Sequence, residues 1–202
     1  MKHLTLPRSL SLAALALLLL TMLPSSAMAL DGYADRRGLF GGLTIGGGVG
    51  LVEVEEDTDC CTTGLDRGRK LGLNIGAQLG GGVSKDLVFL GEANLWQRTV
   101  QVNDDSLEHS HMSFNGLFEY FLFDALYLEG GGGLAYGIFD AQEADGTFKL
   151  YQELGLALKG GAGFEFFVNG QVAVGMRFGY TRHFYTNGSY DVVAGGLSLR
   201  WY

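Results

Sequence analysis

Apolar residues recur at every second position through eight stretches of the chain, and a period of two predicts β-strands. The first stretch carries Leu39, Leu43, Ile45, Val49 and Leu51 on one parity, with Thr44 and several glycines on the other. The second sets Leu71, Leu73, Ile75, Ala77, Leu79 and Val83 against Asn74, Gln78 and Ser84. The third sets Leu87, Phe89, Ala93 and Leu95 against Glu92, Asn94, Trp96 and Arg98. In the fourth, Met112, Phe114, Phe118 and Tyr120 oppose His111, Ser113, Asn115 and Glu119. In the fifth, Leu126, Leu128, Leu134, Tyr136 and Ile138 oppose Tyr127 and Glu129. The sixth places Leu154, Leu156, Leu158 and Phe164 against Glu153, Lys159 and Glu165, and the seventh Val172, Val174, Met176, Phe178 and Tyr180 against Ala173, Gly175, Arg177 and Thr181. The last places Val193, Leu197, Leu199 and Trp201 against Ala194, Gly196, Ser198, Arg200 and Tyr202.

The connections alternate in length. Polar loops are expected over residues 55–69, 103–108 and 140–148, and a moderate one over 184–188. Tight turns are expected at Lys85-Asp86, Phe123-Asp124 and Asn169-Gly170, the last a strong hairpin signal. Eight antiparallel strands joined this way predict an all-β, up-and-down barrel.

The alternation alone does not say which face is inside. A soluble lipocalin-like barrel would put the apolar face inward and leave the other in water. The other face, however, carries Glu92, Arg98, Glu119, Glu129, Glu153, Lys159, Glu165, Arg177 and Arg200, which are mixed in sign and suited to pairing across a lumen. Aromatic residues gather at both ends of the apolar bands, as they do at two membrane interfaces. Phe89, Phe118, Tyr120, Phe121, Phe123, Phe164, Phe166 and Phe167 lie beside the short turns. Phe114, Tyr136, Phe139, Phe178, Tyr180 and Tyr185 lie toward the long loops. Each stretch also exceeds the roughly 9 to 11 residues that a tilted strand needs to cross a bilayer. The expected architecture is therefore an eight-stranded antiparallel transmembrane β-barrel with its apolar face outward. A basic residue on a lipid face costs about 2 to 4 kcal/mol at mid-bilayer, so a one-residue slip is strongly disfavoured. Glu53, Arg182 and Asp191 break parity near the outer rim.

Composition narrows the function classes. Residues 1–29 read as a cleaved signal peptide: Lys2 and Arg8 open it, an apolar run spans residues 10–23, and Ala27-Met28-Ala29 offers a small-x-small cleavage site. The barrel domain is then residues 30–202. Both prolines, Pro7 and Pro24, fall in the leader, which suits a mature chain built of hydrogen-bonded strands. Removing Lys2 and Arg8 from the 14 basic residues leaves 12 against 22 acidic ones, a formal charge of −10. That balance argues against nucleic acid as a partner. Cys60 and Cys61 are adjacent in an acidic segment and could form only a strained vicinal disulfide; the ligand spacing of a metal site is missing.

With its inward charges and its terminal strand ending on Trp201 and Tyr202, the mature chain resembles the small eight-stranded outer-membrane proteins of the OmpA-barrel and OmpX-like class. The resemblance implies a bacterial outer-membrane location, with outer-membrane lipid and lipopolysaccharide as surroundings, and a monomer without cofactors. It also implies recognition of the last strand by the barrel assembly machinery, through Leu197, Leu199, Trp201 and Tyr202. Tyr202 departs from that pattern, because it shares its parity with Arg200 and Ser198 while Leu197, Leu199 and Trp201 carry the apolar stripe.

Eight strands leave an interior wide enough for side chains or one small ligand. The expected function is a non-enzymatic barrel closed by its inner charges, with acidic loops facing outward to an unidentified partner. The alternatives are a narrow porin-like channel and a lipid A-modifying enzyme. For the enzyme, His111 and Ser113 resemble the His-x-Ser of lipid A deacylases with Glu119 as orienting carboxylate, and Asp105, Ser106 and His109 resemble the palmitoyl-transfer barrels.

Overall fold

The structure, a computed structural model, describes residues 36–54, 71–102, 105–142, 148–186 and 188–202. Eight strands follow one another: β1 (Gly38–Val54), β2 (Leu71–Gly82), β3 (Leu87–Val102), β4 (Asp105–Phe121), β5 (Leu126–Gln142), β6 (Phe148–Phe167), β7 (Val172–Tyr185) and β8 (Gly188–Trp201). Each pairs antiparallel with its neighbour in sequence, and β8 returns to β1 from Gly41↔Trp201 to Val54↔Gly188. The barrel is closed, as its alternating pattern predicts, so no strand edge is left unpaired.

The period of two becomes an inside-out burial pattern. In β2 every residue from Leu71 to Leu79 alternates between exposed and buried. Leu39 is 82% exposed and Leu71 78%, whereas Glu119 is 0% and Arg200 1% exposed. The belt of leucine, isoleucine and phenylalanine on the outside is much larger than the apolar patches that water-facing surfaces carry. No helix of the described residues is long and apolar enough to cross a membrane; it is the strands that carry the apolar band.

The strands outrun the sequence pattern at one end. The expected loop over 103–108 is instead largely strand: β3 and β4 stay paired through Thr99↔Glu108, Val100↔Leu107, Gln101↔Ser106 and Val102↔Asp105. Likewise β5 continues to Gln142, and only residues 143–147 separate it from β6. Backbone pairing continues past the apolar band, where Thr99, Gln101, Ser106 and Glu108 interrupt the apolar parity by which the strands were read. At the other end the turns are short and locally tied. Asn169 Oδ1 accepts from the backbone N–H groups of Gln171 and Val172, and Ser84 Oγ accepts from those of Asp86 and Leu87.

Among the described side chains, three of the expected belt aromatics belong to the inner face. Phe121 is buried in the lumen, and Phe167 and Tyr185 pack on lumen groups, because they share parity with Glu119, Glu165 and His183. Two of the parity breakers meet on the outside near the rim. Arg182 and Asp191 are register partners whose charged groups lie 3.6 Å apart, and Tyr180 donates to Asp191 at 2.8 Å. Residues 1–29, the loop over 55–69 with Cys60 and Cys61, and the side chain of Glu53 lie outside the described part.

Candidate functional site

Inward parity from eight strands delivers the buried polar side chains to one place, the lumen. From the end of the short turns to the end of the longer connections it is filled in three layers. The first is apolar: Phe40, Val88, Leu90, Leu117, Phe121 and Tyr127, with Tyr202 packed against them. Arg36, just ahead of β1, lies over it, its guanidinium 3.7 Å from the centre of the Phe121 ring and its Nε donating to Glu165 at 3.0 Å.

The second layer is ionic. Arg200 bridges Glu119 and Glu165, donating through Nη1 at 2.7 and 3.0 Å. Arg177 donates through Nη1 to Glu92 at 2.6 Å and through Nε to Glu129 at 3.2 Å, and Lys159 pairs with Glu92. Gln78 joins the two halves, accepting from Arg200 Nε at 3.2 Å and donating to Glu92 at 2.9 Å. Every strand from β2 to β8 contributes a member, so the layer crosses the whole lumen. The charges balance, with Glu92, Glu119, Glu129 and Glu165 facing Arg36, Lys159, Arg177 and Arg200. Buried charges persist only with such compensation.

The third layer is aromatic and contains three histidines. Trp96, Tyr190 and Val192 form its buried core, flanked by Tyr185 and Ala194. His111 stacks on Tyr190 at 3.9 Å between ring centres, with His183 5.3 Å away, and His111 Nδ1 is hydrogen-bonded to the Tyr185 hydroxyl at 2.9 Å. His109 meets the Tyr190 ring edge-on.

Of the nine inward charges singled out in the sequence, seven meet in the ionic layer and two stand apart. Arg98 lies in the aromatic layer, donating to the Gly50 carbonyl at 3.4 Å beside the Trp96 and Tyr190 rings. Glu153 sits by the last connection and accepts from the Thr186 backbone N–H at 2.6 Å. Sequence reasoning missed three participants. Arg36 precedes the alternating stretch, and Gln78 is neutral and so escapes a count of charges. Tyr202, the residue off the apolar stripe, turns inward and donates its hydroxyl to Glu165 at 2.9 and 3.0 Å. Its parity with Arg200 was the available signal. On the opposite face of the same strand, Leu197 is exposed and Leu199 and Trp201 are half-buried.

The residues of the deacylase-like pattern have other partners. Glu119 is held by Arg200, Ser113 accepts from Asn115, and His111 bonds Tyr185. All three point into the lumen, not toward the outer surface where a lipid would be met. The side chains of Asp105 and Ser106 lie outside the described ones, and His109 is buried beside Tyr190. Among the described residues no group of three or more His, Cys, Asp or Glu could hold a metal ion.

The family model of the outer membrane protein beta-barrel domain matches residues 15–201. No curated protein sequence matches the chain. Among solved structures, similarity is found to Ail, the attachment invasion locus protein of Yersinia pestis, solved in complex with the heparin analogue sucrose octasulfate. The TM-score is 0.59 at 13% identity, over 81% of this chain and 99% of that one. Neisserial surface protein A is also similar, with a TM-score of 0.51 at 10% identity over 81% and 96% of the two chains. At these identities the likeness is one of fold.

Proposed function

Because the chain belongs to the family of outer-membrane β-barrel domains, we propose that it is a non-enzymatic outer-membrane barrel whose lumen is sealed and whose work is done by its outward-facing connections. The observation that carries this reading is the ionic layer: cations seated between carboxylates of other strands, with contributions from every strand from β2 to β8. An eight-stranded barrel is only wide enough for side chains or one small ligand, and here side chains occupy it. In this reading residues 1–29 are removed as a signal peptide, and the barrel assembly machinery engages the apolar stripe of Leu197, Leu199 and Trp201. Outer-membrane lipid and lipopolysaccharide then cover the exterior of a monomer.

The connections facing outward are acidic, with five carboxylates against two arginines over residues 55–69. A surface of that sign favours cationic partners and repels polyanions. The sulfated ligand bound by Ail is for that reason a poor match to this chain. Planar-bilayer recording of the refolded full chain tests the sealed lumen. The expected record is flat, and reproducible wild-type openings would replace this reading with that of a narrow porin-like channel. Incubation with lipid A followed by mass analysis tests the non-enzymatic reading, the expected result being no change in acylation.

A further inference from the structure

One cation of the lumen is not carried by a strand. Arg36 precedes β1, is 6% exposed, and reaches across the short-turn mouth to β4 and β6, which lie opposite β1 in the closed ring of eight. Four groups surround its head there. Nε donates to Glu165 Oε1 at 3.0 Å, and Nη2 donates to the carbonyl of Asp124 in the β4–β5 turn. The guanidinium carbon lies 3.7 Å from the centre of the Phe121 ring and 5.5 Å from that of Phe167. A carboxylate, a carbonyl and two aromatic rings suit a planar cation that stacks and donates at once, whereas an ammonium is a compact point charge without that fork.

The backbone is shaped to deliver this side chain. Arg37 forms an isolated parallel bridge with Gly82, and the next residue, Gly38, faces the same glycine antiparallel as β1 begins. The reversal takes place at Gly38, whose φ of 109° is a left-handed value that residues with side chains rarely adopt. Gly82 supplies the notch in which the segment lies. A Cβ there would stand 2.1 Å from the Arg36 carbonyl oxygen and 2.7 Å from its carbon, both backbone atoms. Charge adds a further reason. The strands bring Glu92, Glu119, Glu129 and Glu165 to the ionic layer but, against them, Lys159, Arg177 and Arg200; Arg36 supplies the remaining positive charge.

We infer that the short-turn mouth of the lumen is a guanidinium-binding site, and that residues 36–37 are a latch, hinged at Gly38, which fills it in cis. The latch lies ahead of β1, so it can leave while every pairing between the eight strands stays made. Its departure leaves a carboxylate short of a cation and two rings without their stacked partner, a vacancy selective for another guanidinium group. The lid over the apolar layer is thereby a removable one.

Chemical complementation tests the site. The full chain and its Arg36→Ala variant are refolded into phosphatidylcholine vesicles and unfolded in urea, with N-ethylguanidinium or ethylammonium present at equal millimolar concentration. N-ethylguanidinium is expected to raise the folding equilibrium constant of Arg36→Ala about three- to ten-fold, as a ligand does at roughly two to nine times its Kd. The wild type, whose site is already filled, should not respond, and ethylammonium should move neither protein. A response of Arg36→Ala no greater than that of the wild type, or an equal response to ethylammonium, overturns the guanidinium site. Should Arg36→Ala fail to refold, Gly82→Ala takes its place. It leaves Glu165, Asp124, Phe121 and Phe167 intact and crowds only the backbone of the latch, and the same selective response is required of it.

Discussion

Arg200 is 1% exposed, and its partners Glu119 and Glu165 are buried as deeply. Taking away the guanidinium strands two carboxylates in the lumen, and breaking a buried ion pair from one side costs about 3 to 5 kcal/mol. Arg200→Ala is therefore expected to lose stability on that scale in urea unfolding from vesicles. Adding Glu119→Gln to that variant should recover part of the loss, since one stranded charge is then removed. Tyr202 gives a finer test. Its ring packs with Phe40 and Phe167 at 5.1 and 5.2 Å between centres, and its hydroxyl bonds Glu165. Tyr202→Phe keeps the ring and removes a hydrogen bond to a charged group, a change of about 1.5 to 3 kcal/mol. The loss should appear in equilibrium unfolding while the yield of barrel assembled in cells stays unchanged, because the apolar stripe of β8 is untouched. A fall in assembly without a fall in stability would instead make Tyr202 part of the targeting signal.

At the scale of the element, the backbones approach closely at the seam between β8 and β1. A Cβ on Gly46 would stand 2.0 Å from the Gly195 carbonyl oxygen and 2.4 Å from the Gly196 Cα, both backbone atoms that cannot swing away. On Gly41, five residues along the same strand, the nearest atom would be 4.0 Å distant. Gly46→Ala is expected to cost at least about 1 to 3 kcal/mol and Gly41→Ala to be near neutral, with urea midpoints of the two variants as the measurement. Equal midpoints would show that the seam yields. The strands themselves were legible in the sequence, because one apolar and one polar face impose a period of two. Their outer ends were not: from Thr99 to Val102 and from Asp105 to Glu108 pairing continues where the outward parity turns polar, at Thr99, Gln101, Ser106 and Glu108. The ionic partners were also hidden. Parity says that Arg177 points inward, but only the stagger of seven hydrogen-bonded neighbours says that it meets Glu92 and Glu129, and no periodicity points to Arg36.

At the scale of the whole molecule, the lumen contains barriers in series, and that order decides what a mutation can open. The apolar layer of Phe40, Leu117, Phe121 and Tyr127 is capped by Arg36 on one side and backed by the ionic layer on the other. Ions must cross all the layers, so loss of one leaves the resistance of the rest. Arg177→Ala removes a cation between Glu92 and Glu129 and admits water there, yet the apolar floor of Phe40 and Phe121 and the aromatic layer of Trp96 and Tyr190 remain closed. Refolded Arg177→Ala protein is accordingly expected to give no openings in a planar bilayer. Phe40→Ala with Phe121→Ala thins the floor but leaves the Arg200 bridge between Glu119 and Glu165, and it too should stay silent. The triple variant still holds the Arg200 bridge and the rings of Trp96, Tyr190 and His111, so it too is expected to give no openings. Openings in Arg177→Ala by itself would show that the ionic layer is the sole barrier and that the apolar floor passes ions.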